Sequence, residues 1–236
     1  MSSFAIITGG TKGIGRAAIE RFLDAGFDVA TCSRNEKDLA ELKENMEFRF
    51  PERKVFILKA DLSLRAELNE FVLFVNSCWR PVDVLINNTG VFIPGQVHNE
   101  EEGVLEKTVE TNLYSAYHLT RSVVGGMIDR NKGHIFTICS TASITAYPNG
   151  GSYCISKFAL YGMTKVLREE MKPYGVKVTA ILPGATLTES WNGTTLPAER
   201  FIDSMDIADA IFAAYALSPR AVMEEILIRP QLGDLD

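Results

Sequence analysis

Short apolar runs recur along the chain, at Phe4–Thr8, Asp28–Cys32, Val55–Lys59, Val82–Asn87, His134–Cys139, Val176–Leu182 and Glu225–Ile228. Most are continuous rather than alternating, the pattern of strands covered on both faces. Longer stretches between them carry apolar residues at helical spacing, as in Leu39, Leu42, Met46 and Phe50, or Leu64, Leu68, Phe71 and Val75. Strand and helix alternate over the whole length, which predicts an α/β fold. The expected architecture is a doubly wound, mostly parallel, seven-stranded sheet with helices on both faces and right-handed crossovers. No linker, repeat or low-complexity tract interrupts residues 1–236, so the chain reads as a single domain. The rhythm breaks once. After Leu182 the chain runs through Pro183-Gly184 to about Met205 without clear periodicity, and a long irregular stretch at a strand end is well placed to cover a ligand. Residues of about 185–205 are therefore expected to cover a substrate.

Composition narrows the function classes. The 236 residues are 46% hydrophobic and 23% charged, enough for a real core, although length alone would leave room for a second domain. A net charge of −6 lacks the basic footprint of a general nucleic-acid binder. No apolar run reaches the ~18 residues of a membrane span. Met1-Ser2-Ser3 leads directly into the first strand, so a cytoplasmic protein without a leader is expected. Cys32, Cys78, Cys139 and Cys154 are scattered and read as reduced thiols. With only three His, none at ligand spacing to a Cys, no metal site is expected.

The first strand ends in Thr8-Gly9-Gly10-Thr11-Lys12-Gly13-Ile14-Gly15, and a helical pattern begins at about Ile14. Glycines let a backbone turn sharply and approach a pyrophosphate, whose charge then meets free N–H groups and the positive end of the helix dipole. Gly13-Ile14-Gly15-Arg16-Ala17-Ala18 also satisfies the short G-x-G-x-x-G/A string, which is weak by itself, since an empty strand-to-helix turn looks the same. The flanking strand and helix favour a dinucleotide site built on Gly9, Thr11, Lys12, Gly13, Ile14 and Gly15. After the second strand, where a carboxylate would hold a ribose 2′-hydroxyl, stand Ser33 and Arg34; the nearest acids, Glu36 and Asp38, lie in the next helix. A guanidinium binds a 2′-phosphate bidentately where a carboxylate would repel it. Lys12 is placed to reach the same phosphate, so the pattern favours NADP(H) over NAD(H).

Further on, Ile138-Cys139-Ser140 closes the fifth strand and Tyr153-Cys154-Ile155-Ser156-Lys157 enters a helix. Tyr153 and Lys157 are one turn apart and share a face. An ammonium beside a phenol favours the phenolate, which makes Tyr153 a candidate general acid or base. Ser140 could donate to a substrate oxygen as charge develops there. The Tyr/Lys pair alone is weak, because any amphipathic helix can contain it.

The whole set resembles the short-chain dehydrogenase/reductase family, over essentially the full chain. The motifs that carry the resemblance are Thr8-Gly9-x-x-x-Gly13-x-Gly15, Asn87-Asn88-Thr89-Gly90, Asn112, Ser140 thirteen residues before Tyr153-x-x-x-Lys157, and Pro183-Gly184-x-x-x-Thr188. It implies a Rossmann-type fold with Tyr153 as proton donor and Lys157 supporting it while binding the nicotinamide ribose. Ser140 would orient the carbonyl, and Asn112 would hold a water linking Lys157 to solvent. By the same resemblance Asp61 and Leu62 would meet the adenine, Asn88 and Gly90 the adenine-ribose side, and Pro183, Gly184, Thr186 and Thr188 the nicotinamide carboxamide. Two bland alternatives stay open: Asp61 can cap the following helix, and Asn88 can satisfy strand-end backbone groups. Thr89 replaces the family's usual Ala and Cys139 its common Ser, neither at a reacting position.

The substrate is expected between the cofactor and the 185–205 segment, near Phe92, Tyr147 and Trp191, whose rings suit a flat or apolar carbonyl compound. Ser152–Phe158 and the tail from Ser218 to Asp234 resemble the bacterial sepiapterin-reductase-like branch. A 3-oxoacyl-carrier-protein reductase is the rival enzyme, with Arg130 and Lys172 as cations for an acidic carrier. A non-catalytic dinucleotide-binding sensor is the third reading, and it has no need of the catalytic set. The Gly125-Gly126 pair inside a helical stretch and the apolar Ile226-Leu227-Ile228 edge suggest a symmetric homodimer or homotetramer, as the resemblance also implies.

Overall fold

Phe4–Thr8 form the central strand, β1, and all five residues are buried because helices cover the sheet on both sides. The computed structural model describes residues 2–191 and 193–235, apart from the Ser190 side chain. The other strands are β2 (Asp28–Ser33), β3 (Val55–Lys59), β4 (Val84–Asn87), β5 (Gly133–Ile138), β6 (Val176–Pro183) and β7 (Glu225–Ile228). They form one seven-stranded sheet in the order β3-β2-β1-β4-β5-β6-β7, and every pairing is parallel. Seven helices connect them: α1 (Gly13–Asp24), α2 (Glu36–Arg49), α3 (Arg65–Ser77), α4 (Val104–Val109), α5 (Ser115–Asp129), α6 (Gly151–Met171) and α7 (Ser204–Tyr215). This is the doubly wound architecture expected from the apolar pattern.

The period-2 geometry of β1 divides the core. Ala5 and Ile7 pack with Ala18, Phe22, Leu42, Met46, Ile207 and Ile211 of α1, α2 and α7 on one face. Phe4 and Ile6 pack with Leu68, Phe71, Leu119, Met127 and Met171 of α3, α5 and α6 on the other. A fully buried side chain of this size contributes about 1.5–3 kcal/mol, so a two-sided strand is the strongest determinant of the fold. The chain winds outward from β1 to β3 and then crosses to β4, so the connections after β1 and β4 diverge. The resulting crevice at their C-terminal ends is where ligands bind in open α/β sheets.

Several expectations need correction. β4 starts at Val84 rather than Val82, and β5 covers Gly133–Ile138 rather than His134–Cys139. Leu64 does not join its helical stripe. It sits at the N-cap of α3 in extended conformation and is 51% exposed, because the turn closed by Leu64 N–H on the Asp61 carbonyl delays the helix to Arg65. The stretch after Leu182 is not featureless. It holds short 3₁₀ turns at Glu189–Trp191 and Ala198–Arg200, and the Thr186–Ile202 bridge closes it. α7 follows it, capped by Asp203 and burying Ile207, Ala208, Ile211 and Ala214 on one face. α5 runs unbroken through Gly125-Gly126. A side chain on Gly125 would meet nothing, and one on Gly126 only Arg130. Of the three apolar tail residues, Ile226 and Ile228 pack on the core and Leu227 alone faces outward. No helix among the described residues is long and apolar enough to cross a membrane.

Candidate active site

The loop from β1 into α1 turns on Gly9 and Gly13, whose φ angles of 65° and 51° lie in the left-handed region open to glycine. A Cβ on Gly15 would overlap the Gly9 carbonyl oxygen and lie 2.6 Å from Asn88 Nδ2, so a side chain there is excluded. α1 has no side-chain cap and no acid in its first turn, which leaves its N-terminal N–H groups unspent. Gly9 edges a cavity of about 740 Å³ lined also by Thr11, Lys12, Ser33, Arg34, Asp61, Leu62, Asn88 and Gly90, whereas Gly13, Ile14 and Gly15 are not among its lining residues. A glycine floor, open N–H groups and a dipole at one end of a cavity this size fit a dinucleotide pyrophosphate.

Asn88 donates both amide protons to main-chain oxygens, to Thr8 at 2.8 Å and Gly9 at 3.2 Å, so it braces the glycine loop against β4. Asp61 accepts from Ser63 N at 3.0 Å and Ser63 Oγ at 2.7 Å, which makes it the organiser of the turn before α3 as well as a cavity wall. Asn88 thus does satisfy strand-end backbone groups, whereas Asp61 does not cap α3, which starts after Leu64 with no side-chain cap. Ser33 lies 3.3 Å from Thr11 through their hydroxyls. Arg34 lines the cavity and makes no hydrogen bond or ion pair among the described residues. Lys12, placed by the sequence to reach a 2′-phosphate, is already paired. It donates to Glu189 at 2.6 Å and lies 3.3 Å from Asp38, and those two partners, Glu189 first, raise its pKa. Glu36, Asp38 and Glu189 all line the cavity, so the ribose corner is less purely cationic than its linear sequence.

The chemistry-bearing residues meet across β4, β5 and α6. Lys157 is only 5% exposed; its ammonium donates to the Ile138 carbonyl at 2.8 Å and lies 5.7 Å from the centre of the Tyr153 ring. The helical spacing thus places the cation beside the phenol. Asn112 is fully buried in a π-turn, Glu110–Tyr114, between α4 and α5. Its Oδ1 accepts from Val91 N at 2.7 Å, while Nδ2 donates to Val91 O at 3.0 Å and Ser156 Oγ at 2.9 Å. Ser156 Oγ in turn donates to the Tyr153 carbonyl at 2.8 Å. Asn112 therefore ties the chain after β4 to the turn that carries Tyr153. Both its amide protons are spent, which leaves only acceptor capacity for anything else. Gly90 is confined by the same cluster: a Cβ there would sit 3.3 Å from Asn112 Oδ1 and 3.7 Å from Lys157 Nζ.

Ser140 follows β5 and caps the 3₁₀ turn Thr141–Ser143. Its Oγ accepts from Ala142 N at 3.1 Å, and its own proton has no acceptor among the described residues. A hydroxyl held by its lone pair with the proton unspent is a ready donor. The neighbouring Cys139 is buried, and that burial pushes its thiol up to about 11, which makes it inert beside a reacting centre.

Of the three aromatic candidates, Phe92 packs edge-on against Tyr153 at 4.9 Å between ring centres. Tyr147 lies against Gly150, before α6; burial, with Tyr153 and Cys154 nearby, raises its phenol. Trp191 packs on Phe201 at 5.0 Å, inside the 185–205 segment. On the far side of the cleft, Gly184 N donates to the Ile228 carbonyl at 2.8 Å, Thr186 Oγ1 donates to the Gly184 carbonyl at 3.0 Å, and a Cβ on Gly13 would come within 2.9 Å of Thr188. Pro183 through Thr188 thus reaches from the end of β6 to the glycine loop. Glu189, Ser156 and Glu100 (below) were missed in the sequence, because none belongs to a spaced motif.

The cations invoked for an acidic carrier lie elsewhere. Arg130 donates to the Val82 carbonyl at 2.6 Å, before β4, and Lys172 is paired with Glu169 past the end of α6. Both sit at the end of the sheet opposite the crevice.

A family model described as short chain dehydrogenase matches residues 3–197. A sepiapterin reductase of Chlorobaculum tepidum is 30% identical over 100% of this chain and 99% of its own length. Among solved structures, a metagenomic short-chain oxidoreductase in complex with NADP superposes with a TM-score of 0.84 at 26% identity, covering 97% of each chain. An actinorhodin polyketide ketoreductase variant with NADPH gives a TM-score of 0.88 at 25% identity, covering 99% of this chain and 98% of its own. The full-length match and the seven-stranded parallel sheet agree: this chain belongs to the short-chain dehydrogenase/reductase family of oxidoreductases and resembles its sepiapterin-reductase-like members.

Proposed function

We propose that the protein is an NADP(H)-dependent carbonyl reductase of sepiapterin-reductase-like type. The observation that carries this reading is the buried Lys157 ammonium beside the Tyr153 ring, with the unspent Ser140 proton on the adjoining strand end. The nicotinamide, when bound, supplies the hydride. The protein's own residues supply the rest. Gly9, Thr11, Gly13, Ile14 and Gly15 hold the pyrophosphate on backbone N–H groups, and Arg34 takes the 2′-phosphate, with Ser33 beside it. Asp61 and Leu62 wall the adenine, Gly90 and the Asn88-braced loop the ribose, and Pro183, Gly184, Thr186 and Thr188 the carboxamide. Ser140 donates to the carbonyl oxygen and orients it, and Tyr153 gives that oxygen its proton. Lys157 favours the phenolate that remains and holds the nicotinamide ribose, while Asn112 keeps Tyr153 and Lys157 in register. Phe92, Tyr147 and Trp191 wall the substrate, and about 185–205 covers it. We take residues 1–236 as one catalytic domain.

The carrier-protein reading loses its support with Arg130 and Lys172 at the wrong end of the sheet. The sensor reading has no use for Asn112, Ser140, Tyr153 and Lys157 together, nor for a fully buried Asn112 tied through Ser156 to the Tyr153 carbonyl. Tyr153→Phe keeps the ring against Phe92 and removes only the transferable proton. NADPH should bind as before, while carbonyl reduction falls by at least about a hundredfold. Near-normal turnover in a folded variant rejects the mechanism.

A further inference from the structure

α6 carries Tyr153 and Lys157, yet it begins without help from its own sequence. Its N-cap is Gly150, with no side-chain cap, and no acid lies in its first turn. The missing partner comes from the connection between β4 and α4. Ser152 N donates to Glu100 Oε1 at 2.9 Å, and Ser152 Oγ donates to Glu100 Oε2. We propose that Glu100 is a positioning residue for Tyr153, capping α6 from outside and fixing the turn in which Tyr153 follows Ser152.

Three independent features are built around this contact. A Cβ on Gly151, whose φ is 24°, would overlap the Glu100 carboxylate, and one on Gly95 would sit 2.6 Å from Glu100 Cγ. Two glycines therefore make room for one carboxylate. Gly95 N donates to the Asn149 carbonyl at 3.1 Å and Gln96 Nε2 to Asn149 Oδ1 at 2.9 Å, so the same connection also grips the turn before α6. Phe92, on that connection too, presses on the Tyr153 ring. A carboxylate at a helix N-terminus also complements the dipole, so removing Glu100 loosens the first turn at both its hydrogen bonds and its charge.

The proposal rests on the reading of Tyr153 as proton donor, and two readouts separate them. The first is kinetic, with benzil as an aromatic diketone probe and NADPH binding followed by fluorescence. Small displacements of a reacting group cost rate steeply, so Glu100→Ala should lower kcat at least about tenfold with KM and the NADPH Kd nearly unchanged. Glu100→Gln, which keeps the volume and an acceptor for Ser152 N, should recover most of the loss. The second readout is fluorine NMR of fluorotyrosine-labelled protein, with the Tyr153 signal identified through Tyr153→Phe. That signal should shift or broaden in Glu100→Ala and return in Glu100→Gln. If Glu100→Ala does not fold, Ser152→Ala removes one of the two contacts and should show a smaller loss in kcat with the same NADPH Kd. An unmoved Tyr153 signal, or a kcat loss shared equally with NADPH binding, overturns the proposal. A wild-type protein that reduces no carbonyl overturns the reading of Tyr153 instead, and the fluorine signal still decides the role of Glu100.

Discussion

Lys12 of the glycine loop donates to Glu189 of the segment after β6 at 2.6 Å, closing the mouth of the cofactor cavity between two parts of the chain 177 residues apart. Both side chains are about half exposed, so solvent screens the pair and it holds the Lys12 ammonium only weakly. The same ammonium is a natural partner for a 2′-phosphate, so Glu189 competes with the cofactor for it. Glu189→Gln should therefore raise the preference for NADPH over NADH in binding, by about two- to fivefold, with a steeper salt dependence. Kd values for both cofactors at two ionic strengths measure this, and an unchanged ratio removes Glu189 from cofactor selection.

Arg34 lines the cavity with no partner among the described residues, so its guanidinium is available to a 2′-phosphate. Arg34→Asp exchanges that attraction for repulsion and offers a carboxylate to a 2′-hydroxyl. The NADPH-to-NADH ratio of kcat/KM should fall by at least about tenfold, the worth of one charge-assisted contact. If the ratio holds, the adenosine ribose lies elsewhere.

His134 on β5 is buried, stacked on Phe136 and bonded to Thr179 at 2.8 Å, and burial first, with Lys177 second, lowers its pKa to about 3. Its ordinary value is 6.5, so between those limits the unfolded chain takes up a proton that the folded one refuses. Stability therefore rises with pH across this window and is lost as pH falls below about 6.5, with a limiting slope near 1.4 kcal/mol per unit from this group. Urea unfolding from pH 7 to pH 4 should show this loss, and His134→Gln should flatten it. A variant with the wild-type slope assigns the acid sensitivity to other groups.

Tyr114 and Tyr117 at the start of α5, and Ile155 and Phe158 on α6, are exposed, and side chains on Gly125 and Gly162 would meet nothing within the chain. Apolar surface with small residues among it suits the close approach of a second copy. Light scattering should give a dimer or tetramer of the 26.1 kDa chain, and Phe158→Arg should lower that mass. A single-chain mass at micromolar concentration refutes the assembly.

The sequence determined the architecture because the five inner strands, β2, β1, β4, β5 and β6, are buried on both faces and the two edge strands keep the same apolar runs. Continuous apolar runs such as Phe4–Thr8 and Val55–Lys59 then have no competing assignment, and their strand limits match those of the fold. The pattern failed where turn geometry intervenes, at Leu64, whose place in the helical stripe is lost to the turn before α3. The chemistry was legible for a similar reason. Glycine turns, a helical i,i+4 pair and a strand-end serine are local arrangements, and local spacing fixes them.

Only the tertiary structure decided which groups share a contact across the crevice. Lys12 meets Glu189, Asn112 meets Ser156, and Glu100 meets Ser152 from separate elements, with no spacing in the sequence to announce them. Such pairs depend on how the connections after β1, β4 and β6 fold over one end of the sheet. Hydrophobic periodicity sets the sheet and the helices, but the polar contacts among connections follow from three-dimensional approach, because they join residues that no local spacing brings together.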